Sequence, residues 1–248
     1  HIIVEAEDGT QKDWYLFLIH KQIQNSDFES WFTNVGMNGK EYTEIGNSSV
    51  KSLWSTANMG TSMYTSYGTQ PVHEGSETLV QIKTDSNKQI PITAGTLFTG
   101  RFDIAGAIAN PTDPKKATKF GIPFRHKPVA MQIEFKYLAG ENYIQATLND
   151  PGNIFGGFTV AEIEGEDQCS IYAILENRSD NEIVEIARAE LTTTTTSDIL
   201  TETIIPFEYT TDDTPTHITV VFTSSKGGDL WRGAVGSTLI IDKLEMVY

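Results

Sequence analysis

The stretch that decides the fold is the last one, Thr223–Tyr248, reading TSSKGGDLWRGAVGSTLIIDKLEMVY. It joins a glycine-rich loop, an aromatic–basic pair (Trp231, Arg232) and a closing strand whose apolar material is Leu239, Ile241, Leu244, Met246 and Tyr248. A chain that ends on a strand of this kind, with a loop presenting an aromatic ring beside a charge, reads as a β-sandwich closed by its last strand. Working outward, period-2 alternation recurs in Met131–Tyr137 (MQIEFKY), Ser170–Leu175 (SIYAIL), His217–Phe222 (HITVVF) and Thr238–Leu244. Turn signals separate the runs: Asp150-Pro151-Gly152-Asn153, Gly156-Gly157 and Lys226-Gly227-Gly228-Asp229. Asn181–Leu191 has both helical and strand spacing, and the strand reading is preferred. The expectation is an all-β chain, an antiparallel sandwich or jelly roll. Its longest connection is Ala105–Pro123, of a length that is usually functional or ordered by something bound.

The 248 residues, 39% of them hydrophobic, suit one large β domain or two small ones. A formal net charge of −15 repels phosphate backbones and anionic lipid, so nucleic acid and membrane surfaces are poor partners. No apolar run is long enough for a transmembrane helix, and no direct membrane insertion is expected. The single cysteine, Cys169, lies in a strand-like apolar run and reads as a buried small hydrophobe. The chain opens on strand-like residues in mid-pattern, as a piece of a longer protein without its targeting segment would.

Residues 1–22 form a separate unit in this reading. Ile2–Ala6 and Trp14–Ile19 are strand-like, and Glu7-Asp8-Gly9-Thr10 turns between them, which gives a hairpin. The run VEAEDGTQKDWYLFL is similar to the last hairpin of bacterial immunoglobulin-like modules, which implies the end of such a module upstream. The alternative is that these are the first strands of the main domain, residues 23–248.

The main body carries, in order, NSDFESW (25–31), LWSTANMGTS (53–62), TAGTLFTGRF (93–102), FGIPFRHKP (120–128), IPFEY (205–209) and SSKGGDLWRGAVGSTLIIDKLEMVY (224–248). In this order and spacing they resemble the putative carbohydrate metabolism domain of surface proteins of gut Bacteroidetes. The resemblance implies a jelly-roll sandwich, export to the outer face of the outer membrane within a larger lipoprotein, other domains of that protein as partners, and a role in handling oligo- or polysaccharide. The opening and closing segments are also similar to those of carbohydrate-binding modules in which first and last strands share a structural calcium. That likeness implies Glu29 and Asp242 as carboxylate ligands, helped by carbonyls near Asn25–Asp27, while Lys243 stands where such modules often have a second Asp.

Sugar recognition needs flat aromatic faces and planar polar groups. Three sets qualify. Trp54, Asn58, Tyr64 and Tyr67 lie in a polar, glycine-containing stretch; they are loop rings offered to solvent, or Trp54 is core and the tyrosines anchor the loop. Trp231 and Arg232 suit an acidic sugar or a stacked ring, or else cover the sandwich edge. Phe124, Arg125, His126 and Lys127 make a basic spot that could accept a carboxylate or sulfate, or is simply solvated. Catalytic patterns are lacking. Glu162, Glu164, Glu166 and Asp167 read as the solvated face of a strand entering a turn, Asp212-Asp213 as a solvated turn, and the five histidines show no ligand spacing. The sequence therefore points to a non-catalytic glycan-binding surface module, with a structural or adhesin-like module as the alternative and a glycoside hydrolase or lyase third.

Overall fold

The computed structural model describes residues 2–5, 7–14, 21–47, 52–110, 112–179, 182–196 and 198–248. Among the described residues the strands run, in chain order: β1 (Ile2–Glu5), β2 (Gln11–Trp14), β3 (Trp31–Val35), β4 (Glu41–Ile45), β5 (Trp54–Thr56), β6 (Thr69–Glu74), β7 (Glu77–Lys83), β8 (Thr96–Phe102), β9 (Thr118–Phe120), β10 (Ile122–Pro123), β11 (Ala130–Leu138), β12 (Tyr143–Leu148), β13 (Phe158–Glu162), β14 (Cys169–Arg178), β15 (Ile183–Thr193), β16 (Thr201–Pro206), β17 (Glu208–Tyr209), β18 (His217–Thr223), β19 (Arg232–Ala234) and β20 (Thr238–Val247). The first main sheet has the order β17-β15-β14-β18-β8-β5, with β10 against β18 and β9 against β8. The second is β16-β11-β20-β7-β6. A small sheet, β13-β12-β19, and the hairpins β1-β2 and β3-β4 complete the set, and the strand pairings are antiparallel.

Alternation decides the packing. Ile171, Ala173 and Leu175 of β14, and Ile218, Val220 and Phe222 of β18, turn one face of the first sheet inward. Met131, Ile133, Phe135 and Tyr137 of β11 meet them from the second sheet in one continuous core. The chain is thus an antiparallel β-sandwich, as expected. Of the segment Asn181–Leu191, residues 183–191 fall on strand β15 and Asn181 lies outside the described residues; Cys169 is fully buried. The long connection is not irregular: it holds a short helix, α1 (Ile104–Ala109), a 3₁₀ turn (Pro114–Ala117), β9 and β10. At the N-terminus the second strand of the hairpin is Gln11–Trp14, earlier than expected; the rest of the expected strand, residues 15–19, lies outside the described residues.

β20 buries Leu239 and Ile241, then Leu244 and Met246, so its inward positions change phase in mid-strand. A bulge makes this possible. Gln132 pairs Glu245 while Glu134 pairs Asp242, and Lys243 takes a left-handed φ of 50°. β7 covers β20 only as far as Ile241. Beyond it, residues 22–26 take over: Leu244 N–H donates to the Ser26 carbonyl (2.9 Å), and the Gln22 amide pairs both ways with Met246. Every such substitution keeps buried backbone groups bonded. The same segment inserts Phe28, fully buried, edge-on against Trp54 (5.5 Å) and Phe222 (6.3 Å). Truncating Phe28→Ala is expected to cost about 3–5 kcal/mol of stability in urea or guanidinium unfolding, because the segment that closes β20 would lose its anchor; a cost under about 1 kcal/mol would show that the plug is dispensable.

Candidate functional site

The loop between β18 and β20 carries Trp231 and Arg232, and a single buried carboxylate shapes it. Asp167, 1% exposed, accepts at Oδ2 from Ser225 Oγ (2.5 Å), Ala234 N–H (2.8 Å) and Ser237 Oγ (2.7 Å), and at Oδ1 from Gln168 N–H (2.9 Å). Both ends of the loop therefore close on one side chain. Thr84 Oγ1 extends the network to Ser225 Oγ (2.6 Å) and Ser224 Oγ (2.8 Å), and Tyr137 donates its hydroxyl to the Ser224 carbonyl (2.9 Å). This corrects the solvated reading of Asp167. Glu162, Glu164 and Glu166 are exposed, but the next acid turns inward at the entry to β14. Three of its four partners lie 58 to 70 positions away, so no local pattern could announce them.

Within the loop, Gly228–Leu230 makes a 3₁₀ turn and Trp231 follows it with a φ of 58°. A bulky residue in the left-handed region is strained by about 1–2 kcal/mol, so something must hold it. Its N–H donates to the Gly228 carbonyl (3.2 Å) and its carbonyl accepts from Ala146 N–H of β12 (2.9 Å). Gln145 brackets it: Nε2 donates to the Leu230 carbonyl (2.7 Å), and Oε1 accepts from Arg232 Nε (2.9 Å). The half-buried indole meets Phe158 edge-on at 5.3 Å. Leu230, its neighbour in the chain, is 62% exposed; Val160 on β13 is 48% and Phe155, in the turn before β13, 73% exposed. Sequence reasoning named Trp231 and Arg232 as candidates but not Gln145, Phe155 or Phe158. The two phenylalanines flank Gly156-Gly157, where the turn signal hid them; Gln145 gives no signal in a strand 87 positions from its partner.

The other expected sugar residues separate. Trp54 is 2% exposed, its indole N–H given to the Gln24 carbonyl (3.0 Å), so it is core and not a platform. Asn58 is 1% exposed and spends both ends of its amide on the Thr69 backbone, which pins its own loop and leaves nothing for a ligand. Tyr64 and Tyr67 are half-buried; Tyr67 stacks flat on Tyr42 at 5.4 Å, so that face of its ring is taken. Phe124 is core, and His126 is wedged between it (5.5 Å) and Tyr248 (6.0 Å). Arg125 is exposed, and Lys127 lies over the Tyr209 ring while its Nζ donates to the Asp212 carbonyl.

The implied calcium ligands, Glu29 and Asp242, sit beside protein partners of their own. Glu29 Oε1 is occupied by Thr78 N–H (2.9 Å), and Asp242 is 1% exposed. A cation already stands there: Lys243 Nζ lies 3.3 Å from Glu77, 3.5 Å from Glu134 and 3.7 Å from Asp242. The bulge that re-phases β20 thus seats an ammonium among carboxylates, and among the described residues no cluster of three or more acids, histidines or cysteines is arranged to take a metal ion.

One further acid is perturbed. Glu44 on β4 is 7% exposed, and burial pushes its carboxyl up to about 7, against hydrogen bonds from Thr56 (3.0 Å), Ile45 N–H (3.3 Å) and Tyr42 (3.2 Å). Burial, with Glu44 beside it, also raises the Tyr42 hydroxyl. A carboxyl that binds its proton more tightly folded than unfolded weakens the fold as pH rises from its ordinary 4.5 through about 7. The expected loss between pH 5 and pH 8 is about 2–3 kcal/mol from this group, read as unfolding midpoints at the two pH values. Glu44→Gln should flatten that slope, and an unchanged slope would assign it to other groups.

The chain has no match among curated proteins. It is 28% identical to a putative glycoside hydrolase from Bacteroides thetaiotaomicron VPI-5482, whose crystal structure superposes with a TM-score of 0.69 over 99% of this chain and 77% of that one. It is 26% identical to a putative glycoside hydrolase from Bacteroides vulgatus ATCC 8482, with a TM-score of 0.70 over 89% of this chain and 96% of that one. The family model for the putative carbohydrate metabolism domain matches residues 27–247. With nearly its whole length matched, and with the sandwich that the ordered motifs implied, the chain belongs to the putative carbohydrate metabolism domain family.

Proposed function

We infer that this chain is a glycan-binding module without a catalytic role, displayed at the cell surface within a larger exported protein. Its ligand site in this reading is the platform of Trp231, Phe158, Phe155 and Leu230 with Gln145 and Arg232. The observation that carries the reading is Trp231 itself: a large ring held half-exposed in a strained backbone conformation, its backbone and its two chain neighbours bonded by three groups of β12 and by the Gly228 carbonyl of its own loop. Strain maintained at an exposed aromatic suits a residue kept for contact, and apolar faces with one amide and one guanidinium suit the C–H faces and hydroxyls of a sugar. Membership of a carbohydrate family supports the substrate class. The hairpin β1-β2, in the same reading, is the end of a preceding immunoglobulin-like module, and calcium is no part of the site.

A second reading, glycoside hydrolysis, is favoured by the names of the two similar structures. It asks for two facing carboxyls about 5–10 Å apart. The acids of the loop are committed elsewhere, Asp229 to Lys115 Nζ (2.5 Å) and Asp167 to its four donors. Affinity electrophoresis against a broad panel of plant and host polysaccharides separates the two readings. Retarded migration without release of reducing ends is expected, and Trp231→Ala should weaken it at least about tenfold. Release of reducing ends would replace the binding reading with the hydrolase, and migration untouched by any polysaccharide would remove it.

A further inference from the structure

We propose that Arg232 is an anion-recognising residue and that the ligand of the Trp231 platform is an acidic glycan, bearing uronate carboxylates or sulfate esters; this rests on the binding reading above. Although the chain has 33 acidic residues against 18 Lys and Arg, three of its five arginines, Arg101, Arg125 and Arg232, enter no ion pair among the described residues, and Arg232 is set apart from the other two by how it is held. Arg178 meets Glu176 (2.5 Å), and Arg188 meets Glu185 (2.7 Å) and Glu190 (3.3 Å). Arg232 is exposed and enters no ion pair among the described residues. The acid nearest to it along the loop, Asp229, is drawn away by Lys115 at 2.5 Å.

The side chain is nonetheless held. Nε is fixed by Gln145 Oε1 at 2.9 Å, a neutral acceptor that orients the guanidinium without cancelling its charge. The stem lies over Gly227, where a Cβ would come within 2.9 Å of Arg232 Cβ and 3.3 Å of its Cγ and Cδ; Gly227 leaves the room the stem uses. The Nη groups keep no protein acceptor among the described residues. An oriented guanidinium with its Nη groups unspent, next to an indole, can meet a planar carboxylate or a sulfate through paired N–H bonds while the sugar ring lies on the aromatic. A neutral glycan would leave that charge without a partner, and the Gln145 contact would serve no discrimination.

The net charge of −15 makes the test selective, since the molecule as a whole repels polyanions and retention must come from a local site. The 248-residue chain and its Arg232→Gln, Arg232→Lys and Trp231→Ala variants are run in native gels holding polygalacturonate, dextran sulfate or plain dextran. Retardation by polygalacturonate identifies the uronate source, by dextran sulfate the sulfate source. The expected result is retardation by one acidic polymer and not by dextran, at least about tenfold weaker in Arg232→Gln, partly kept in Arg232→Lys, and lost in Trp231→Ala. Thermal melts within a few degrees of one another confirm that the variants fold. Acidic-gel retardation unchanged in Arg232→Gln, or dextran retarding as strongly as the acidic gels, overturns the proposal and leaves the binding reading standing. No retardation by either acidic gel overturns it as well; if the wider polysaccharide panel is also silent, the binding reading falls with it.

Discussion

One carboxylate ties three sheets together. Asp167 precedes β14 of the first main sheet; its acceptors are filled from Ser225, just past β18, from Ala234 at the end of β19 in the small sheet, and from Ser237, just before β20 of the second main sheet. Thr84, just past β7, joins through Ser225. A carboxylate this buried is costly unless its lone pairs are occupied, and here four donors occupy them. The corner of the sandwich is fixed by that requirement: the loop cannot shift without stripping a donor from a desolvated charge. Apolar contact joins the two sheet faces, but it has little directional preference. The angular precision needed to set a particular ring on a particular loop comes from this polar knot.

The loop then passes that precision outward. Its ends are set by Asp167, its middle by Gln145 and Ala146 of β12, and what remains free to meet solvent is the Trp231 ring, the Leu230 side chain and the charged end of Arg232. A site built this way presents its contacts already ordered, so little conformational entropy remains to be lost when something binds.

Much of the fold was legible and less of the site. Alternation in β11, β14 and β18 reports directly which side chains face the core, since a strand's period is a local property. The closing strand carried its own bulge in plain view, as the shift from Leu239 and Ile241 to Leu244 and Met246. The polar, glycine-bearing neighbours of Trp54 and Asn58 left Trp54 open between a loop ring and core and made Asn58 a candidate ligand group; both are taken up by partners at Gln24 and Thr69. Asp167 followed three exposed glutamates and looked like a fourth member of their row. In each case the deciding partner is distant in sequence, and composition around the residue carries no information about it.

Trp231 bears on how this module can change over time. Glycine would occupy its left-handed position without strain, and at such positions the swap relieves the backbone. Drift toward greater robustness, or a laboratory screen that rewards heat tolerance alone, would therefore press toward losing the ring at this site. Persistence of an aromatic at the corresponding loop position in related chains would mark selection acting on what the loop touches, and its replacement by glycine would mark lineages in which the platform has fallen out of use.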